Sequence, residues 1–460
     1  MMKDYSDVSE EMIHHYNRPG PRYTSYPTVP MWESGNFGED YVEFLERERE
    51  REAPLSLYVH IPFCSRLCTY CGCNQFITRN DQLVEAYLET LQEELGQTAR
   101  HLGKRKVVKQ LHLGGGTPTH LTVRQLRKLH RMIADNFDLA PDGEMALEAH
   151  PRVTCEEQLE VLYELGFRRI SLGVQDLDRR VQRAINRDQT PEQTSRTFSQ
   201  ARKLGYASIN MDLVYGLPKQ TVETFQHTME MVNTLKPDRL AIYSFAYLPN
   251  MFQTHERAIK AEDLPSALEK IAIYLASLRF FTKAGYHMIG MDHYAKATDE
   301  LALAQKNRTL HRNFMGYTTL RGLSQIGVGV SAISDFGDGY FQNEKNLDAY
   351  MRGIQDGHLP TIREKILDAD DRLRREVIET LMCHCALPVS ALEEKYEISF
   401  EKYFAREWEA MKAFEEEGLL ELHQHSLQLS KLGILFMRNV AMPFDRYLKK
   451  QTRPHFSKTV

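Results

Sequence analysis

The chain has 460 residues, 42% of them hydrophobic and 26% charged, with a net charge of −5. That composition belongs to a soluble globular protein, and the length suggests two or three domains or a large β/α barrel with additions. The acidic balance offers no basic stripe for nucleic acid, and no run nears the roughly 18 apolar residues of a membrane span. The first sixteen residues are polar and lack a secretory apolar core, so a cytoplasmic protein is expected.

At 16–28 the chain reads YNRPGPRYTSYPT. Proline lacks an N–H and fixes its own φ, so this stretch suits neither a helix nor a central strand and reads as an ordered extended arm. From residue 55 short β-rich runs alternate with longer helical patterns. The strand candidates are 56–62, 107–113, 144–149, 168–174, 208–214 and 239–245, and the helical patterns between them cover 82–101, 123–136, 155–165, 191–204 and 222–235. Strands separated by helices pair in parallel, and right-handed crossovers build either a barrel or an open doubly wound sheet. No internal repeat stands out. After about residue 365 the pattern turns helical and charged, over 369–382, 389–396 and 403–417, which suggests a separate, mostly α C-terminal domain.

Seven cysteines stand at 64, 68, 71, 73, 155, 383 and 385. An odd count in a chain of this kind argues against a disulfide framework. Cys383 and Cys385 are too few for a site and read as core residues. The other cluster, HIPFCSRLCTYCGC at 60–73, directly follows the first strand. Loops at the C-terminal ends of strands are where chemistry gathers in such folds. Cys64, Cys68 and Cys71 have CxxxCxxC spacing, short enough for three thiolates to meet one metal centre. Zinc is the alternative, but zinc sites commonly pair two short knuckles and no second knuckle follows. A [4Fe–4S] cluster on three thiolates keeps one iron open for the amine and carboxylate of a small molecule. Cys73 is either a fourth ligand or a nearby thiol. The run GGGTPT at 114–119, after the second strand, lets main chain approach a ligand without Cβ interference. Glu148 ends the third strand, where a carboxylate accepts hydrogen bonds from ribose hydroxyls or is merely a strand-end acid. Asp212 lies inside an apolar run and needs a polar ligand or a partner such as Arg187. Tyr70 either stacks on adenine or packs the loop.

These residues resemble the radical S-adenosylmethionine superfamily and, within it, the oxygen-independent coproporphyrinogen III oxidase family. The resemblance covers nearly the whole chain: YNRPGPRYTSYPT, SLYVHIPFCSRLCTYCGCN, LHLGGGTPT, SLGVQD, MDLVYGLPKQT, GMDHYA, LHRNFMGYTT and GVSAIS. It implies an α/β fold, a partly open (β/α)6 barrel with an N-terminal extended arm (1–38), a catalytic barrel domain (39–335) and a mostly helical C-terminal domain (336–460). It also implies a [4Fe–4S] cluster on Cys64, Cys68 and Cys71 and two S-adenosylmethionine molecules. By position, Tyr58, Tyr70, Gly115, Glu148 and Ile333 contact the molecule on the open iron, while Gly116, Thr117, Gln175, Arg187, Asp212 and Ala246 surround the second. The implied reaction converts two propionates of coproporphyrinogen III to vinyls, giving protoporphyrinogen IX in anaerobic haem synthesis. The radical is carried by S-adenosylmethionine, and no side chain is assigned as catalytic. A low-potential donor such as flavodoxin or ferredoxin and a monomeric state are expected. Propionates need cations, and Arg22 and Arg312 are the candidate substrate ligands. Two departures from the family stand out: His150 replaces an acid, and an acidic position near Ser324 and Gln325 is missing. A haem carrier, a methyltransferase that opens the haem ring and a zinc scaffold are the rival readings; the CGC sequence and the proline-rich arm argue against the first two.

Overall fold

A computed structural model of the chain describes residues 3–103, 106–448 and 456–459. The six expected strands form as β1 (Leu55–Ile61), β2 (Val107–Gly115), β3 (Asp138–Ala149), β4 (Arg169–Gln175), β5 (Ser208–Tyr215) and β6 (Arg239–Ser244). They lie side by side in that order, each parallel to the next. In LSLYVHI of β1 only Tyr58 is partly exposed, the continuous burial of a strand covered on both faces. The crossover helices fall where apolar residues recur at three and four. Asp81–Leu102 is capped by Asn80, whose side chain accepts from the Gln82 N–H, and it buries Val84, Leu88, Leu91 and Leu95. Val123–Asn136 and Pro191–Leu204 start with reciprocal caps between Thr122 and Gln125 and between Thr190 and Gln193.

A seventh parallel strand, β7 (Ser324–Val328), which the sequence pattern did not reveal, pairs with the free side of β1. Antiparallel strands extend both edges: Ile333–Asp335, Gly339–Asn343, Thr361–Ile366 and Glu33–Ser34 beyond β7, and His293–Lys296 and Tyr286–Ile289 beyond β6. The outermost strands do not pair with each other, so the barrel stays partly open.

Two expected boundaries move. Residues 336–366, assigned to the C-terminal domain on the family resemblance, pair into the main sheet, and Phe341, Tyr350 and Ile354 pack in its core. The arm is not extended throughout: Ser9 caps a helix, Glu10–Tyr16, that buries Ile13 and Tyr16. Ile13, Tyr16, Tyr23 and Tyr26 share a second core with Leu373, Val377, Phe404 and Phe436, so the arm packs on the C-terminal unit. That unit is mostly helical and adds a small sheet of Ala386–Leu387, Leu420–His423 and Ser426–Leu429. Cys383 and Cys385 are buried, as expected of core residues.

One buried carboxylate fastens the strand turn behind the site. Glu94, 2% exposed, accepts from Gly329 N at 2.7 Å, Asn343 Nδ2 at 2.6 Å and Tyr350 OH at 2.5 Å. Glu94→Ala strands all three donors and is expected to cost about 2–4 kcal/mol of unfolding free energy, measured by urea denaturation. Burial pushes the carboxyl up to about 7, from 4.5 for a free side chain. The folded state thus holds its proton to higher pH, and this group's contribution to stability declines as pH rises from 4.5 to about 7.

Candidate functional site

The C-terminal ends of the barrel strands enclose a cavity of about 320 Å³, lined by Cys64, Cys68, Cys71 and Cys73. The cysteine loop is pinned at its base by a parallel pair, Phe63–Cys64 with Phe76–Ile77. It is pinned at its tip by Thr69 N donating to Ile185 O at 3.0 Å and Asn186 Nδ2 donating to Leu67 O at 2.6 Å. His60 steadies its far end: Nε2 donates to Asn74 O at 2.9 Å, which leaves Nδ1 to accept from Tyr58 OH at 3.0 Å. Burial holds this imidazole below its usual value, so it is neutral and keeps that tautomer.

None of the cysteines is in a disulfide. Burial pushes the Cys64 thiol up to about 11 and raises Cys68, so an ionised set needs a cation beside it. The neighbouring Cys73 thiol lowers Cys71. The Thr117 hydroxyl lies 3.3 Å from Cys64 Sγ, and Arg187 Nη1 lies 3.9 Å from Cys68 Sγ. The donor set, three thiols on one cavity wall, fits an iron–sulfur cluster with one iron left to a ligand. Among the described residues no three His, Cys, Asp or Glu side chains gather closely enough for a single ion. A cube presents a separate iron to each thiolate and does not need that closeness.

The glycine turn opposite brings bare main chain to the cavity. Gly115 has φ +117°, and a Cβ there would meet the His60 ring at 2.8 Å; at Gly116 it would meet Pro62 O at 2.6 Å. No side chain larger than hydrogen fits either position without moving the strand ends.

Glu148 at the tip of β3 accepts from Gly115 N at 3.2 Å and faces His112 Nε2 at 3.4 Å. Asp212 on β5 accepts from Ser171 Oγ at 2.7 Å and from Asn210 Nδ2 at 2.7 Å. Burial, with the Glu148 charge adding to it, pushes the Asp212 carboxyl up to about 6. Arg187 is not its partner. That guanidinium, 6% exposed, donates to Gly173 O, to Gln189 Oε1 at 3.0 Å and to Tyr70 OH at 3.1 Å. It therefore ties the cysteine loop to the end of β4.

Of the residues expected from sequence, Tyr70, Gly115, Gly116, Thr117, Glu148, Gln175, Arg187 and Asp212 all line the cavity. Tyr58 sits one row behind, stacked on His112 with ring centroids 6.0 Å apart. Ala246, just past β6, and Ile333, at the start of its strand, are not in the lining. Neither candidate substrate arginine faces the cavity. Arg22 donates to Ser244 O, and Arg312, 8% exposed, donates to Arg22 O at 2.5 Å and Tyr23 O at 3.4 Å. These contacts with backbone carbonyls hold the arm against the barrel, while the buried Arg312 Nε has no hydrogen-bond partner among the described residues. Sequence reasoning missed Ser171, Asn210, Tyr243 and His293, which line a second cavity of about 150 Å³ under the first. The one available signal was polar residues at alternate positions of β4 and β5, the period of a strand face.

Comparison with known proteins agrees along the whole chain. Residues 58–232 match the Radical SAM superfamily and 367–436 the HemN C-terminal domain. The chain is 43% identical over 452 residues to the oxygen-independent coproporphyrinogen III oxidase of Pseudomonas aeruginosa, covering 98% of each, and 42% identical over 451 residues to that of Escherichia coli, again 98% of each. Its fold superposes with a TM-score of 0.90 on coproporphyrinogen III oxidase (HemN) from Escherichia coli, a radical SAM enzyme, at 40% identity over 96% of this chain and 99% of that one.

Proposed function

The chain belongs to the oxygen-independent coproporphyrinogen III oxidases of the radical S-adenosylmethionine superfamily, and we propose that it converts two propionates of coproporphyrinogen III to vinyls, giving protoporphyrinogen IX for haem synthesis. The observation that carries this reading is the gathering of Cys64, Cys68, Cys71, the glycine turn, Arg187 and Asp212 around one cavity. Cys64, Cys68 and Cys71 would hold a [4Fe–4S] cluster with one open iron, which would supply the reductive cleavage of S-adenosylmethionine and so the hydrogen abstraction from the propionate carbon next to the pyrrole. Carbon dioxide then leaves, with one electron passing to an acceptor.

The chain's own part is binding and orientation. Gly115 and Gly116 offer main chain at close range, while Glu148 and Asp212 accept hydrogen bonds from ribose hydroxyls. Tyr70, Gly115 and Glu148 serve a first S-adenosylmethionine, and Gly116, Thr117, Gln175, Arg187 and Asp212 serve a second. A low-potential flavodoxin or ferredoxin delivers the electron, and the enzyme works as a monomer. Among the described residues no helix is long and apolar enough to cross a membrane. Arg22 and Arg312, engaged with backbone, act on the substrate only by setting the arm that borders it.

Anaerobic protein given reductant, S-adenosylmethionine and coproporphyrinogen III should yield protoporphyrinogen and 5′-deoxyadenosine together. Tight haem binding with neither product would replace the oxidase reading with a carrier. A pH dependence follows from Asp212, whose neighbours Glu148 and His293 are the other titratable groups acting on it. Above about 6 it is a full acceptor; below, its proton weakens the hydrogen bond to a ribose hydroxyl. S-adenosylmethionine affinity should therefore drop as pH falls through that value, and Asp212→Asn should flatten the curve, read by equilibrium binding across about pH 5–8.

A further inference from the structure

Parallel β/α barrels ordinarily fill their interior with layers of branched apolar side chains. This one does not. The second cavity shares Glu148, Ser171, Asp212 and Tyr243 with the cluster cavity. A third, of about 290 Å³ at the N-terminal ends of the strands, shares Gln110 and Asn313 with the second. The three lie in series along the barrel as a polar tract with shared walls. Its depth follows from the register: Gln110 stands opposite Glu144, four residues below Glu148, or about 13 Å at about 3.3 Å per residue.

Two acceptors on these walls have no donor of their own among the described residues. At the waist, Gln325, Ser56, Gln110 and Glu144 stand in one row across β7, β1, β2 and β3. Ser56 Oγ donates to Gln110 Oε1 at 2.8 Å, and Gln110 Nε2 donates to Glu144 Oε1 at 2.8 Å. Gln325, 3% exposed, donates its amide to Ile333 O at 3.0 Å, and its Oε1 has no donor. Higher up, Asn210 donates to Ser171 and Asp212, and its Oδ1 also has none. An amide oxygen left this way on a cavity wall is free to take a donor from a ligand.

The outer rim is cationic in effect. Its carboxylates are engaged: Asp335 by Arg375 at 2.7 Å, Glu376 by Lys395 and Tyr396 at 2.6 Å each, and Glu379 by His311. Arg51 pairs with Glu48 at 2.8 Å. Arg321 and Arg372, also on this rim, have no carboxylate partner among the described residues; Arg372 donates only to Leu367 O, at 2.8 Å.

A ligand that fits these cavities brings N–H donors to Asn210 and Gln325 and carboxylates to Arg321 and Arg372 at the outer end. A porphyrinogen carries pyrrole N–H groups and peripheral propionates. Resting on the oxidase reading above, we infer that the substrate enters through the N-terminal mouth of the barrel. One pyrrole and its reacting propionate reach up beneath Glu148 and Asp212, while the other rings stay in the outer cavity. Asn210 and Gln325 accept pyrrole N–H groups, and Arg321 and Arg372 bind propionates that are retained.

The test is steady-state kinetics of anaerobic full-length holoenzyme, with iron and sulfide content and S-adenosylmethionine affinity as folding controls. The R321E/R372E double variant should raise the KM for coproporphyrinogen III at least about thirtyfold, with kcat changed by less than about threefold. Gln325→Leu, which removes the acceptor and keeps the bulk, should raise it about tenfold. A KM within about twofold of wild type for both variants overturns the entry route while leaving the oxidase reading intact. Wild-type enzyme that cleaves S-adenosylmethionine but leaves coproporphyrinogen unchanged removes both.

Discussion

Replacing any one of Cys64, Cys68 or Cys71 by Ser is expected to lower 5′-deoxyadenosine formation by about a thousandfold or more, because on the proposed reading each thiolate would hold a separate iron. Anaerobic assays with a chemical reductant, alongside iron and acid-labile sulfide analysis, check it. The comparison that gives the experiment its edge is Cys73→Ser. In the structure Cys73 stands beside Cys71 and lowers its thiol, and a serine hydroxyl keeps a polar hydrogen at that place. This variant should keep its iron and lose no more than about tenfold in rate. Loss of the cluster in Cys73→Ser as complete as in the other three would make it a ligand instead.

Arg187→Leu carries the second large effect. The side chain joins three parts of the site: the Cys68 sulfur and Tyr70 hydroxyl on the cluster loop, the Gly173 carbonyl on β4, and Gln189 on the segment that follows. Removing a buried, hydrogen-bonded cation leaves several acceptors unsatisfied, a loss of about 3–5 kcal/mol. Part should appear as lower stability and part as a fall of about a hundredfold or more in kcat/KM for S-adenosylmethionine. Arg187→Lys keeps a positive charge near the thiolates but cannot reach the loop and the strand at once. It should retain the cluster and recover only part of the rate, and equal rates for Lys and Arg would reduce the residue to its charge.

Much of the barrel was legible because its signals are local. Helices at 123–136, 191–204, 222–235 and 389–396 begin and end where periodicity and caps put them. The C-terminal pattern over 403–417 splits in two at Phe404, where the backbone leaves the helical region. β7 went unseen because SQIGV is short, has a glycine in its middle and follows no crossover helix of its own. Of the strands within 336–366, Thr361–Ile366 was masked by Arg363, Glu364 and Lys365, which break the apolar alternation of a strand, and Gly339–Asn343 by its shortness. The cluster loop was plain from cysteine spacing alone. The roles of Arg22 and Arg312 were not, since the carbonyls that take up their hydrogens come from 222 and 290 positions away, and no local pattern encodes such a partner.

The pairing of β1 between β2 and β7 bears on how the enzyme is made. On one side β1 meets a strand that leaves the ribosome soon after it; on the other it must wait roughly 270 residues for its neighbour. Until then the segment leading into the cysteines has a bare edge, open to mispairing and to premature oxidation of its thiols. Iron–sulfur loading of the nascent chain before Ser324–Val328 emerges would therefore meet a half-built cradle, and maturation belongs after translation is nearly complete.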